Sequence, residues 1–127
     1  MNKALIIIAH GSNRTSSNDE MQELCRRIEC SVSSQFDTVR LAFLEIARPT
    51  IREAIESVIN QGVKEITVVP YFLSAGNHVV RDIPNEIDKI RADHRQVNIV
   101  MTRHIGSLPQ IADLVIDAVS TLMEESV

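Results

Sequence analysis

Apolar residues along the chain follow two alternating spacings, which together predict four strands and four helices. Continuous apolar runs at 3–9, 38–44, 65–70 and 97–101 have the composition of strands covered on both faces. After each run, apolar residues recur every three or four positions, as they do along one face of a helix. The predicted order is therefore strand and helix, repeated four times.

Residues that begin or end helices lie close to the expected boundaries. Pro49 is placed to open the second helix and Gly62 to end it. Asp82 is placed to cap the third helix. Ser107 and Gln110 have the spacing of a capping box before the fourth.

This alternation predicts an α/β three-layer sandwich, in which a four-stranded, mainly parallel sheet carries helices on both faces. Short connections between consecutive strands and helices produce right-handed crossovers and parallel pairing. The chain has 127 residues without a linker-like tract or internal repeat, so we expect a single domain over residues 1–127.

Composition and charge narrow the classes of partner. The hydrophobic fraction of 44% and the charged fraction of 24% are typical of a soluble globular protein. The net charge of -4 disfavours binding to nucleic acid, because proteins that bind nucleic acid normally have a basic face. No run approaches the ~20 apolar residues of a membrane span, and the run at 4–9 is interpreted as a buried strand rather than a signal peptide. The spacing of Cys25 and Cys30 places them on different faces of a predicted helix, which disfavours a disulfide between them. Free thiols favour a reducing compartment. We therefore expect a cytoplasmic protein with no membrane partner.

Three of the four histidines follow predicted strands. In an open parallel sheet, ligands bind beyond the carboxyl ends of the strands. His10 follows the first strand, His78 lies in the long loop after the third, and His104 follows the fourth, while Glu45 follows the second. His94 is predicted to lie on the surface at the opposite edge.

Each of these residues also has a structural explanation. Alone, His10 could be a hydrogen-bonded strand-end residue and Glu45 a solvated one. His78 is the stronger functional candidate, because long loops in compact domains are often functional. Together, two imidazoles and a carboxylate suit Co²⁺, Ni²⁺, Fe²⁺ or Zn²⁺ and leave coordination positions open.

Cationic and hydrogen-bonding residues occur near the same edge. They could be ordinary surface residues, or they could hold a ligand with several carboxylates. The candidates for substrate binding are Ser12, Arg14, Arg48, Ser74, Asn77, Arg81 and Arg103.

Three segments resemble a known family over nearly the whole chain. ALIIIAHGS, AFLEIARPTI and VVPYFLSAGNHVVRDIP are similar to segments of the CbiX family in its short form, the sirohydrochlorin chelatases of cobalamin and siroheme biosynthesis. The match of RHIGSLPQIADLVIDAV is looser.

The resemblance implies a chelatase-like fold that corresponds to one half of the two-domain long form of the family. It also implies ATP-independent insertion of a divalent metal into the tetrapyrrole sirohydrochlorin. It places the metal-site and catalytic positions at His10, Glu45 and His78. Co²⁺ is the expected metal substrate, with Ni²⁺ or Fe²⁺ as alternatives, and no organic cofactor is expected. It also implies a homodimer with the site in the cleft between subunits.

Other functions remain to be weighed against this one. A non-catalytic protein that binds or carries metal or tetrapyrrole would have the same residues. A receiver-like or flavodoxin-like signalling domain predicts acidic residues after the first strand, where this chain has His10, Gly11 and Ser12. A nucleotide-binding function is disfavoured by four glycines without a phosphate-binding motif.

Overall fold

The computed structural model describes residues 2–125, which form four strands and four helices in strict alternation. The strands are β1 (Lys3–Ala9), β2 (Thr38–Phe43), β3 (Glu65–Pro70) and β4 (Asn98–Met101). The helices are α1 (Thr15–Ser31), α2 (Ile51–Asn60), α3 (Ile83–Asp93) and α4 (Gln110–Glu125). A π-helical turn (His78–Asp82) precedes α3, and a 3₁₀ turn (Ile105–Ser107) precedes α4.

All four strands are parallel, in the order β2-β1-β3-β4. The connection from β1 leads to one side of the sheet and the connection from β3 to the other. The carboxyl ends of these two adjacent strands therefore form the crevice where ligands of open α/β sheets bind. The predicted fold class is confirmed.

Two apolar clusters cover the two faces of the sheet. One packs α2 and α3, through residues such as Ile55 and Ile87, against β1, β3 and β4. The other packs α1, through Cys25, against β1 and β2. Because β1 and β2 have helices on both faces, almost every residue in them is buried.

The start of α2 differs from the prediction by two residues. The helix begins at Ile51 rather than at Pro49, because Thr50 and Glu53 form a reciprocal capping box. Gly62 has a φ of 96° just beyond the end of the helix, as expected for a terminating glycine.

α4 is the helix whose position the sequence does not predict. None of its residues is buried, although its apolar spacing is typical of a helix packed on a core. Ser107 does not form the predicted capping box, because its hydroxyl donates to the carbonyl of His104 at 2.7 Å. Within residues 2–125, no helix has the length and apolar character required to cross a bilayer.

Candidate metal-binding site

His10 and Glu45 are brought together by close backbone packing between the loops after β1 and β2. The Glu45 N–H donates to the His10 carbonyl at 3.1 Å. Gly11, between them, has a φ of 100°, and a Cβ there would lie 1.9 Å from the Glu45 carbonyl oxygen. Only glycine fits this position, both for its conformation and for its space. The two side chains then meet, with 2.7 Å between His10 Nε2 and Glu45 Oε1.

The backbone after Glu45 has an unusual conformation. Ile46 has a φ of 72°, which a β-branched residue rarely adopts, and its side chain is exposed. The Ala47 N–H donates to the Glu45 carbonyl at 2.7 Å and closes a tight turn. Backbone strain of this kind concentrates at functional sites, and here it lies next to the candidate carboxylate.

His78 begins the π-helical turn that leads from the β3 loop into α3. Turns of this type are frequent at functional sites. Its Nδ1 lies 2.8 Å from Oδ2 of Asp82, four residues later. Asp82 therefore does not cap α3 as predicted; it makes no capping hydrogen bond and contacts the histidine instead. With the proton on Nδ1, this contact leaves Nε2 available for a metal, as in carboxylate–histidine–metal arrangements.

The three candidate ligands form one cluster at the carboxyl edge of the sheet. One ligand atom each from His10, Glu45 and His78 lies within 4.8 Å of the others. The two imidazole rings are 5.2 Å apart, centroid to centroid, and nearly perpendicular. Because metal–ligand bonds are about 2.0–2.2 Å, two ligands of one ion are separated by at most ~4.4 Å. The three atoms are therefore near enough for one ion to bind them all once the side chains move closer together.

The predicted substrate-binding residues differ in how far they are already paired. Arg48 forms a bidentate ion pair with Glu53. The hydrogen bonds from Arg48 are the main reason that the pKa of Glu53 is lowered to about 2. Arg103 donates to the Ser107 carbonyl at 3.1 Å. The hydroxyl of Ser12 accepts the N–H of Arg14 at 3.0 Å. The side chains of Arg14, Ser74, Asn77 and Arg81 are exposed.

The other two histidines are separate from this cluster. His104 is absent from the group of potential metal ligands found among residues 2–125. His94 is not a simple surface residue: it is partly buried, and its Nε2 lies 2.8 Å from Glu56 Oε2. The sequence did not predict this contact, because His94 at the end of α3 and Glu56 on α2 are far apart along the chain.

The space beside the cluster is small. A pocket of about 270 Å³ is lined by residues that include His10, Ser12 and Tyr71. Binding sites for drug-sized molecules generally enclose about 300–1,000 Å³. One copy of the chain therefore offers the candidate metal ligands but little enclosure for a large organic molecule.

Known proteins of similar sequence and structure match this chain over nearly its whole length. The CbiX family model matches residues 4–122. The sirohydrochlorin cobaltochelatase of Methanopyrus kandleri is 30% identical, over 96% of this chain and 98% of that protein.

Two solved structures share the architecture. The CbiX protein of Marinobacter aquaeolei VT8 has a TM-score of 0.81 at 28% identity, over 97% of this chain and 98% of the other. The sirohydrochlorin chelatase SirB of Bacillus subtilis, in complex with cobalt, has a TM-score of 0.83 at 26% identity, over 95% of this chain but 51% of SirB. On the strength of the family match over most of its length, the chain belongs to the CbiX family.

Proposed function

We propose that this protein inserts a divalent metal, Co²⁺ in the first place, into sirohydrochlorin without ATP. The observation that carries the proposal is the convergence of His10, Glu45 and His78, with ligand atoms within 4.8 Å of one another. The name of the Methanopyrus kandleri relative supplies the substrate and the metal, and the cobalt complex of SirB supports the same chemistry.

Metal insertion exchanges one M²⁺ ion for two pyrrole N–H protons, so the site must both release a cation and accept protons. His10 and His78 bind the incoming ion through neutral imidazole nitrogens. As the ion moves to the macrocycle, each nitrogen regains a lone pair that can accept a proton. Glu45 offsets the charge of the ion and, through its 2.7 Å contact, orients His10 or takes a proton from it.

The number of ligands suits a metal that must leave. Three protein ligands leave coordination positions in which macrocycle nitrogens can begin to bind before the protein ligands detach. The half-exposed side chains of His10 and Glu45 allow such an approach from solvent.

The surroundings of the cluster can bind the rest of the substrate. We assign its carboxylates to the arginine and hydrogen-bonding residues Ser12, Arg14, Arg48, Ser74, Asn77, Arg81 and Arg103. The exposed side chains of Tyr71 and Leu73 provide apolar surface for the flat ring. Arg48 must loosen its ion pair with Glu53 in order to contribute.

A homodimer completes this proposal. The pocket of about 270 Å³ cannot enclose a tetrapyrrole, and the chain spans only 51% of SirB. A second copy of this single domain would supply the other wall of the cleft. We place the dimer in the cytoplasm, in keeping with the free thiols of Cys25 and Cys30.

The direct test is incubation of purified protein with sirohydrochlorin and, separately, Co²⁺, Ni²⁺ or Fe²⁺ without ATP. We expect the absorption of the free macrocycle to disappear faster than with the ion alone, most strongly with Co²⁺. Absence of acceleration with every ion would refute the proposal. Tight binding of ion or macrocycle without acceleration would identify a carrier protein instead.

A further inference from the structure

The loop after β4 supplies no candidate ligand, yet it contacts the loop that leads to His78. His104 lies outside the group of potential metal ligands found among residues 2–125. The 3₁₀ turn that follows it (Ile105–Ser107) lies against the loop after β3, where the Gly106 N–H donates to the Phe72 carbonyl at 2.9 Å. A backbone hydrogen bond therefore joins the two loops at the edge of the sheet that carries the candidate ligands.

Gly106 allows this contact because it has no side chain. A Cβ at this position would lie 1.7 Å from the carbonyl oxygen of Leu73, 2.3 Å from its carbonyl carbon and 2.6 Å from its Cα. All three are backbone atoms, so no change of side-chain rotamer can relieve the overlap. Gly106 does not have the positive φ of Gly11 and Gly62, so glycine is required here for its space alone.

The segment 73–77, between this contact and His78, has few other contacts to hold it. All of its residues are exposed. Within the described part of the chain, residues 73–75 make no hydrogen bond with another backbone group, and the Gly76 carbonyl accepts bonds only from the π-helical turn that follows it. The position of the segment therefore depends on its two ends, which are the packing at Gly106 and the π-helical turn.

Phe72, in contrast, is held by the core. Its partly buried side chain packs against the apolar cluster formed with α2 and α3, and its ring lies 6.3 Å from that of His10. Because a Cβ is almost never found within 3.0 Å of such an atom, a side chain at Gly106 would push the Leu73 carbonyl back by more than an ångström. Since Phe72 is anchored and the exposed segment after it is not, the displacement would pass along the chain towards His78.

We propose that Gly106 is a positioning residue of the metal site, which sets the distance of His78 from His10 and Glu45 by fixing the start of the loop that carries His78. The proposal rests on the proposed function and extends it to the loop after β4, which contributes shape rather than a ligand. The three ligand atoms lie within 4.8 Å of one another. Two ligands of one ion are separated by at most ~4.4 Å, so an outward shift of about an ångström would take His78 out of reach of an ion held by the other two.

Substitution of Gly106 tests this role against a matched control in the loop after β3. Gly106→Ala should weaken Co²⁺ binding by about 10–100-fold, the range seen for residues that orient metal ligands. Gly76→Ala adds the same methyl group where it meets nothing within 4 Å, and its dissociation constant should stay within about twofold of wild type. Titration with Co²⁺ measures the constant, and the visible spectrum of the bound ion reports its ligands, so that the spectrum of Gly106→Ala should match that of His78→Ala. Wild-type affinity in Gly106→Ala would overturn the proposal.

A double-mutant cycle separates positioning from a general loss of stability. If Gly106 acts through His78, Gly106→Ala should change the Co²⁺ dissociation constant by less than about twofold when His78 is already Ala. A loss of the same size with and without His78 would show that the substitution destabilises the fold as a whole, and would contradict the positioning role.

A loop insertion keeps the proposal testable if Gly106→Ala does not fold. Two glycines placed between Ala75 and Gly76 lengthen an exposed segment and leave the packing of Gly106 intact, so the chain should still fold. They release His78 from the anchored part of the loop, and we expect Co²⁺ binding to weaken about 10-fold or more. An affinity unchanged by the insertion would show that the packing does not position His78.

These results are separable from failure of the proposed function. Co²⁺ binding is measured without sirohydrochlorin, so a protein that binds Co²⁺ but inserts none would refute the function and leave the role of Gly106 standing. A wild type that does not bind Co²⁺ would overturn both.

Discussion

The His10–Glu45 and His94–Glu56 pairs have nearly the same geometry but different surroundings. The nitrogen–oxygen distances are 2.7 Å and 2.8 Å. Glu56 also bonds Arg52, which in turn contacts Asp93, so its charge is balanced from two sides. Glu45 has no arginine or lysine among its ion pairs in the described part of the chain, and its histidine faces His78 instead.

The difference shows that a histidine–carboxylate contact does not by itself identify a metal site. At His94 the neighbouring cation makes the pair part of a bridge between α2 and α3. At His10 the second imidazole is that of His78 and Glu45 pairs with no arginine or lysine among the described residues, so the proposed M²⁺ would balance the charge of Glu45. The charged residues and histidines around a histidine–carboxylate pair therefore indicate its function better than the contact itself.

Removing either histidine of the candidate site should have the largest effect on activity. We expect His10→Ala or His78→Ala to slow metal insertion by about 100-fold or more, because a metal ligand and a proton acceptor are both lost. Initial rates of Co²⁺ insertion, followed by absorption, measure the effect. His94→Ala is the matched control and should stay within about twofold of wild type. If His78→Ala retained the wild-type rate, the assignment of the site would be incorrect.

Asp82 tests whether the contact of His78 with a carboxylate matters as much as the ligand itself. Partners of this kind typically change metal affinity about 10–100-fold when removed. Asp82→Asn should weaken Co²⁺ binding by that factor without lowering the melting temperature appreciably, as measured by calorimetry. Asp88→Asn removes the same charge from an exposed position on α3, the helix that follows, and should leave affinity unchanged. Equal affinity in the two variants would remove Asp82 from the site.

Gly11 tests the backbone packing that brings His10 to Glu45. Its φ of 100° costs an L-residue about 1–2 kcal/mol, and the overlap with the Glu45 carbonyl adds to this. We expect Gly11→Ala to lower the free energy of unfolding by at least that amount in urea titrations. At Gly76 an added Cβ meets nothing within 4 Å, so Gly76→Ala should change stability by less than about 1 kcal/mol. Similar values for both variants would argue against the close packing at Gly11.

The His94–Glu56 bridge should have the smallest effect, and one that depends on pH. Hydrogen bonding by His94, followed by the charge of Arg52, lowers the pKa of Glu56 from 4.5. A lowered pKa stabilises the fold above the unfolded value and is lost as the pH falls through the folded one. The melting temperature of Glu56→Gln should therefore lie below that of wild type near pH 7, and the gap should narrow below about pH 4.5. Glu20→Gln, on the exposed surface of α1, serves as the control; a gap that widened on acidification would refute the linkage.

Much of the candidate site could be predicted because the spacing of apolar residues along the chain predicts the order of strands and helices. Continuous apolar runs separated by helical spacings require a parallel sheet, and the carboxyl ends of its strands share one edge. That reasoning places His10, Glu45 and His78 at the same edge before any distance is known. The contact between His78 and Asp82 also had a signal, since residues four apart in a helical turn are neighbours.

Other features could not be derived in this way. The contact of His94 with Glu56 joins two helices whose relative position depends on packing. The tight packing of Gly11 against Glu45 and of Gly106 against Leu73 depends on how separate loops meet. Nothing in the order of residues states these distances.

The sequence by itself determined the alternation of strands and helices, the edge that carries the candidate ligands and the apolar character of α4. The tertiary structure decided which candidate ligands meet, that Asp82 contacts His78 rather than capping α3, and that no residue of α4 is buried. The physical reason is range: periodicity and strand order follow from local preferences and from the need to bury apolar residues. Contacts between loops, and the direction of a terminal helix, depend on how the completed layers fit together.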